Sequence, residues 1–166
     1  MKKIEMVDLR TQYERLKADI DSAVAGVIGS TAFIKGPDVR LFEEELQRYL
    51  GVRHVISCAN GTDALQIAMM ALGLRPGDEV ITTNFTFIAT VEVIELLGLK
   101  TVLVEPEPGT FNISQEAIRS AITPRTKAIV PVHLFGQCAD MEPIMALAQE
   151  HGIHIIEDTA DRKSVV

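Results

Sequence analysis

The first fifty residues place apolar side chains at the spacing of two amphipathic helices. Between residues 13 and 27, apolar residues recur every three or four positions, and Gly29-Ser30 ends this pattern. A second apolar stripe follows Gly36-Pro37, and proline is well suited to the first position of a helix. These patterns predict a helical segment over residues 1–52.

From residue 53 onward, short apolar runs alternate with helix-like stretches. The apolar runs predict five strands, at residues 54–59, 79–83, 100–104, 127–132 and 153–156. Four helices are predicted between them, at residues 64–72, 87–97, 114–122 and 140–151. Strands that alternate with helices form a mostly parallel sheet covered by helices on both faces. The predicted fold class is therefore α/β, and its ligands are expected at the carboxyl ends of the strands.

Composition and charge exclude several classes of partner. The net charge of −7 argues against non-specific binding of nucleic acid. The first residues lack the apolar core of a secretion signal, and no stretch approaches the roughly 20 apolar residues of a membrane span. We therefore expect a cytoplasmic protein with neither nucleic acid nor a membrane as partner. Cys58 and Cys138 lack metal-ligand spacing, so we expect no metal site and predict that both pack as small apolar residues.

The turn Asn60-Gly61-Thr62 joins a strand-like run to a helix-like run. Free backbone N–H groups and the positive end of the helix dipole point at one spot there, which suits a phosphate. Gly61 leaves the backbone open to an anion, and Thr62 adds a hydroxyl donor. Taken alone, the same turn also fits an ordinary helix start with a polar cap.

Asp158 follows the last apolar run and is the second candidate for chemistry. A carboxylate at the end of a buried strand needs a partner, and alternation along the strand directs Glu157 to the opposite side. A phosphate seat and a carboxylate in one crevice suit pyridoxal phosphate, whose ring nitrogen commonly pairs with Asp. Phe87 could stack on that ring or belong to the helix core. His133 could line the pocket or be a satisfied, semi-buried histidine.

Six segments in series resemble the DegT/StrS family of nucleotide-sugar aminotransferases, which are pyridoxal-phosphate enzymes of the aspartate-aminotransferase fold. The resemblance covers residues 4–160, and its landmarks are residues 36–43, 60–65, 76–81, 85–90, 131–136 and 156–160. It implies a fold type I large domain that is truncated in this chain. It also implies transfer of an amino group from glutamate to a keto nucleotide-sugar, in a homodimer, for surface polysaccharide. The segments at residues 57–62 and 136–140 are most similar to enzymes that aminate C3 of a UDP-N-acetylhexosamine derivative.

The resemblance also implies roles for individual residues. Gly61 and Thr62 would hold the cofactor phosphate, and Asp158 would pair with the ring nitrogen. Phe87 and Ala160 would lie on the two faces of the ring. Substrate contacts are implied more weakly, at Tyr13, Phe33 and His133.

The chain departs from the family at its end. The family's catalytic lysine falls a few tens of residues beyond the Asp158 position, and Lys163 is too close to Asp158 to replace it. Residues 161–166 resemble the translation of a common sequencing adapter, so we interpret them as a non-native tail after a partial large domain at residues 53–160. The alternative is a natural frameshift or a divergent tail. We therefore expect the chain as written to be inactive.

Three other interpretations stay open at this point. A dehydratase of the same family would carry histidine in place of the lysine. A non-catalytic binding module would keep the phosphate seat without the chemistry. A dinucleotide-binding domain is disfavoured, because the turn at Gly61 lacks the Gly-x-Gly-x-x-Gly spacing.

Overall fold

The computed structural model describes residues 7–160, and their contacts divide between Ser57 and Cys58 into two compact units. The helices are α1 (Leu9–Ser30), α2 (Pro37–Leu50), α3 (Gly61–Ala71), α4 (Ile88–Leu96), α5 (Gln115–Ala121) and α6 (Met141–His151). The strands are β1 (Glu79–Thr83), β2 (Lys100–Val104), β3 (Thr126–Val130) and β4 (His154–Ile155). The predicted tail at residues 161–166, including Lys163, lies outside the described residues.

The first unit contains α1 and α2. Asp8 caps α1 by accepting a hydrogen bond from the Thr11 N–H at 3.0 Å, and α2 begins at Pro37 as the sequence predicts. Glu43 accepts a hydrogen bond from the Ser57 N–H at 2.8 Å, which ties the chain after α2 back to that helix. Neither helix buries a residue, so the apolar stripe of α1 is exposed.

The second unit is a sheet of four parallel strands in the order β2-β1-β3-β4. Ile81 of β1 is paired with Val102 of β2 on one side and with Ile129 of β3 on the other. Every strand of this sheet is followed or preceded by a helix, which is the connection that parallel pairing requires. The α/β class and the parallel sheet predicted from the sequence are confirmed.

Side-chain alternation along the strands divides the core into two layers. Ile81 and Ile129 pack with residues of α5 and α6, among them Ile118 and Ile144. The residues next to them in sequence, including Val80 and Val130, face the other way. They pack with four apolar residues of α3 and α4, namely Leu65, Met69, Val93 and Ile94. Helices therefore cover both faces of the sheet and leave its two ends for ligands.

Two expectations about local structure are wrong. Residues 54–59 form neither helix nor strand, because no strand among residues 7–160 pairs with them, and Ile56 is 77% exposed. A β-strand needs a neighbouring backbone for its N–H and C=O groups, which the apolar pattern alone does not reveal. Cys58 and Cys138 are both exposed rather than packed in the core.

Within residues 7–160, no helix is long and apolar enough to span a membrane. The same residues contain no group of three or more His, Cys, Asp or Glu side chains that could hold a metal ion.

Candidate active site

A cavity of about 520 Å³ opens at the carboxyl edge of the sheet. All four strands point to this edge because they are parallel. The cavity is lined by all five residues that the sequence assigns to a cofactor: Gly61, Thr62, Phe87, Asp158 and Ala160. The fold thus brings together residues that are separated by up to about a hundred positions in the chain.

The amino end of α3 presents unused donors to the cavity. The side chain of Asn60 accepts a hydrogen bond from the Asp63 N–H at 2.9 Å, and the Asn60 carbonyl accepts from the Ala64 N–H at 3.0 Å. Among the described residues, the N–H groups of Gly61 and Thr62 have no hydrogen-bond partner. A Cβ placed on Gly61 would meet no protein atom within 4 Å, so this backbone is open to a ligand. Helix geometry and an open approach together suit an anion.

Asp158 is 7% exposed and is fixed by its backbone next to the end of β3. Its N–H donates to the Pro131 carbonyl at 2.9 Å, and its carbonyl accepts from the His133 N–H at 3.0 Å. These two bonds extend the parallel pairing beyond β4 for one residue, opposite Val132. The carboxylate is therefore held at the floor of the cavity rather than on a free loop.

Thr90 of α4 contacts this carboxylate, and Thr86 in the preceding turn contacts Thr90; the sequence reasoning assigned neither of them a role. Thr90 Oγ1 lies 2.8 Å from Asp158 Oδ2, and Thr86 Oγ1 lies 3.2 Å from Thr90 Oγ1. Thr90 is fully buried, whereas Thr86 lines the cavity. A four-residue spacing of hydroxyl residues at a helix start is the signal that could have revealed them.

His133 is fully buried and does not line the cavity. Its Nδ1 accepts a hydrogen bond from the Ala139 N–H at 3.2 Å, so Nε2 carries the proton and donates to Glu157 Oε2 at 2.8 Å. Of the two alternatives for His133, the structure therefore shows the buried histidine whose two ring nitrogens both have hydrogen-bond partners. Glu157 also lines the cavity, but its carboxylate turns away from that of Asp158. It meets His133, whose ring contacts Ala139 of the layer formed with α5 and α6, whereas Asp158 meets Thr90 of α4, as alternation predicts.

The remaining predicted residues occupy different surroundings. Phe87 is 76% exposed at the cavity rim and is the residue before α4. Ala160 donates its N–H to Asp158 Oδ1 at 3.1 Å, which holds the last described residue against the carboxylate. Tyr13 and Phe33 belong to the first unit. Tyr13 donates to Asp21 at 2.7 Å, and Phe33 is 64% exposed.

The family model for the DegT/DnrJ/EryC1/StrS aminotransferase family matches residues 14–162, and the chain belongs to this family. It is 51% identical over 157 residues to a UDP-2-acetamido-2-deoxy-3-oxo-D-glucuronate aminotransferase of Pseudomonas aeruginosa, a match that covers 95% of this chain and 44% of that protein. The chain therefore spans less than half the length of this curated relative.

Two solved structures share the fold over nearly the whole chain. DesV of S. venezuelae, in complex with a ketimine intermediate, superposes with a TM-score of 0.93 at 40% identity, covering 96% of this chain and 43% of that one. NtdA of Bacillus subtilis, with bound cofactor PMP, gives a TM-score of 0.87 at 37% identity, covering 96% and 37%. Both of these solved chains are more than twice as long as the chain described here.

Proposed function

We propose that this chain is the cofactor-binding amino-terminal portion of a pyridoxal-phosphate-dependent nucleotide-sugar aminotransferase. The observation that carries the proposal is the pairing of an anion seat at Gly61 and Thr62 with the buried carboxylate of Asp158 on one cavity. Phosphate and a basic ring nitrogen are the two polar ends of pyridoxal phosphate. The donors, the carboxylate and the cavity volume all fit that group.

Each lining residue has a distinct task in this proposal. Gly61 and Thr62 hold the phosphate through backbone N–H groups and a hydroxyl, and Asp158 holds the ring nitrogen in its protonated form. Phe87 covers one face of the ring, and Ala160 lies against the other. When bound, the cofactor supplies an electron sink for carbanion chemistry at the substrate amine.

The similarity to the Pseudomonas aeruginosa enzyme supports the substrate class that we propose. We propose glutamate as amino donor and a UDP-linked 3-oxo-N-acetylhexosamine derivative as acceptor, with the product used in surface polysaccharide. Tyr13 and Phe33 are proposed substrate contacts, whereas His133 acts through Glu157 because its own ring is fully buried. A cytoplasmic homodimer is the proposed working form.

The catalytic lysine is expected in sequence beyond residue 166 in the encoded protein. Sequencing the locus through codon 160 and onward tests this directly. A continued reading frame with a lysine-bearing strand-loop supports the aminotransferase, and a histidine at that position favours the dehydratase. A stop directly after codon 166 contradicts a catalytic role.

Cofactor binding tests the site itself. The gene product, at its full encoded length, is titrated with PMP, the amine form of the cofactor, by isothermal titration calorimetry. The variant D158N should weaken binding by about tenfold or more, since it removes a charged partner worth roughly 1.5–3 kcal/mol. The control is D140N, because Asp140 is exposed, makes no capping hydrogen bond and does not line this cavity. Equal affinity of D158N and D140N would refute the assignment of Asp158.

Turnover completes the test. Full-length enzyme is supplied with glutamate and the UDP-linked 3-oxo sugar, and 2-oxoglutarate formation is measured. Amine appearing on the sugar supports the proposal, whereas loss of water from the sugar without use of glutamate supports a dehydratase.

A further inference from the structure

The hydroxyl groups of Thr86 and Thr90 form a directed chain that ends on Asp158. A carboxylate only accepts hydrogen bonds, so Thr90 donates its single hydroxyl proton to Asp158 Oδ2 over 2.8 Å. Thr86 must then be the donor in its 3.2 Å contact with Thr90 Oγ1. The chain runs from a cavity-lining hydroxyl, through a fully buried one, to the carboxylate.

Asp158 is held at both of its oxygens. Oδ2 accepts from Thr90, and Oδ1 accepts from the Ala160 N–H at 3.1 Å. One anchor comes from α4 and the other from the chain just after Asp158, so together they restrict rotation of the carboxylate plane. Each oxygen retains one lone pair, because a carboxylate offers about four acceptor sites.

We propose that Thr90 is a positioning residue for the cofactor, acting through Asp158. Its hydroxyl, oriented by Thr86, holds the carboxylate so that a free lone pair faces the cavity, where the ring nitrogen would lie. This inference rests on the proposed function, because it takes Asp158 as the partner of that nitrogen. Burial of a hydroxyl group costs free energy, so an apolar residue would fill this position in the helix more favourably if the hydroxyl had no role.

Three variants separate this role from a structural one. T90V keeps the branched shape and removes the hydroxyl, and T90S keeps the hydroxyl. The matched control is T82V, because Thr82 is also fully buried and donates to the Val130 carbonyl at 2.9 Å inside the sheet. Each is made in the gene product at its full encoded length, and thermal unfolding identifies variants that fail to fold.

The first readout is the affinity for PMP, measured by calorimetry. We expect T90V to weaken binding about tenfold, as expected for one hydrogen bond to a charged group, and T90S and T82V to stay within about twofold of wild type. T86V removes only the outer donor and should weaken binding by about two- to threefold. This fourth variant keeps the test decisive if T90V does not fold.

The second readout is the chemical shift of PMP labelled with 15N in the ring, followed against pH. In wild type and T82V, the shift should stay at the protonated value from about pH 6 to 9. In T90V it should move toward the unprotonated value within that range. If T90V changed only the thermal stability of the protein, the 15N chemical shift of bound PMP would stay at the wild-type value.

The outcomes distinguish this inference from the proposed function. Loss of affinity in D158N together with unchanged affinity and 15N shift in T90V and T86V would overturn the role of Thr90 alone. Equal binding of PMP by wild type and D158N, or no binding by wild type, would overturn both.

Discussion

At the scale of single residues, we expect a substitution of Gly61 to weaken ligand binding without lowering the stability of the fold. It is the first residue of α3, and a Cβ built there meets no protein atom within 4 Å. We therefore expect G61A to leave the thermal midpoint unchanged or slightly raised, because alanine favours helical backbone. The same methyl group would stand in the proposed phosphate seat and weaken PMP binding by about tenfold or more. Calorimetry and thermal unfolding on one preparation measure both effects.

The control for this glycine is Gly26, which lies inside α1 and also has open space around it. G26A should raise stability by about 0.5–1 kcal/mol and leave affinity for PMP unchanged. If G61A bound PMP as tightly as G26A does, Gly61 would not be part of a phosphate seat.

His133 illustrates how a buried polar residue costs stability when its partners are lost. Its ring satisfies the N–H of Ala139, which is itself 4% exposed, and donates to the Glu157 carboxylate. We expect H133L to destabilise the fold by about 2–3 kcal/mol, because it leaves that N–H buried without an acceptor. Urea unfolding followed by circular dichroism measures the loss.

E157Q serves as the comparison, since the Glu157 side chain is 46% exposed. The amide oxygen that this substitution introduces can still accept a hydrogen bond from the His133 ring. Its cost should stay below about 1 kcal/mol. A larger cost for E157Q than for H133L would show that the charge on Glu157, rather than the ring, sustains this pair.

At the scale of elements, Glu79 joins three segments at the end of the sheet opposite the cavity. This first residue of β1 is 1% exposed and accepts hydrogen bonds from Thr123, from Arg125 at 2.7 Å and from Lys100 at 3.3 Å. The Thr123 hydroxyl, and next the Arg125 guanidinium, lower the pKa of Glu79 from 4.5 to about 2. The carboxylate thereby connects the starts of β1 and β2 to the turn before β3.

The pH dependence follows from the sign of that shift. A pKa lower in the folded than in the unfolded state stabilises the fold above about pH 4.5, and this stabilisation is lost as the pH falls toward 2. We expect wild type to lose unfolding free energy across this window and E79Q to show a flatter profile with a lower plateau near neutral pH. E92Q, an exposed site on α4, should follow wild type. Parallel profiles for E79Q and wild type would contradict the role of Glu79.

The strands and helices also show which parts of the fold can be predicted from the sequence. Apolar runs located all four strands of the sheet within about two residues. The central strands β1 and β3 are buried along nearly their whole length, and apolar residues of β2 and β4 pack against the core. Residues 54–59 carry the same kind of run, yet strand formation depends on a partner elsewhere in the chain. The role of Thr90 could not be predicted for a related reason, because its hydroxyl bonds to Asp158, which lies 68 positions later in the chain.

Some residues that line the cavity were predictable from local structure. The proposed phosphate seat was predicted from a glycine and a hydroxyl residue at the start of a helix, and Asp158 from its place after a buried strand. The surroundings of His133 could not be foreseen, because its ring accepts from the N–H of Ala139 and contacts Glu157, 24 positions later. The Thr86–Thr90 chain depends on the fold placing Thr90 of α4 next to Asp158.

At the scale of the whole molecule, α1 exposes a continuous apolar stripe. Its members include Leu16, Ile20 and Val24, exposed to 47%, 38% and 52%. A patch of this kind on a soluble chain favours association with apolar surface elsewhere. We therefore expect the 166-residue polypeptide, made as written, to self-associate, so that light scattering after size exclusion gives masses well above the 18.2 kDa of a monomer.

Charge placed on the stripe should reverse this behaviour. The triple variant L16E/I20E/V24E is expected to move the polypeptide toward the monomer mass, because it replaces apolar contact area by like charges. The control A18E/S22E/A25E adds the same charge to the opposite face of α1, which is also exposed, and should leave self-association in place. If both triple variants became monomeric to the same extent, net charge rather than the stripe would govern association. A wild-type chain that eluted as a monomer with a sharp cooperative melt would show that residues 1–166 are stable without covering this face.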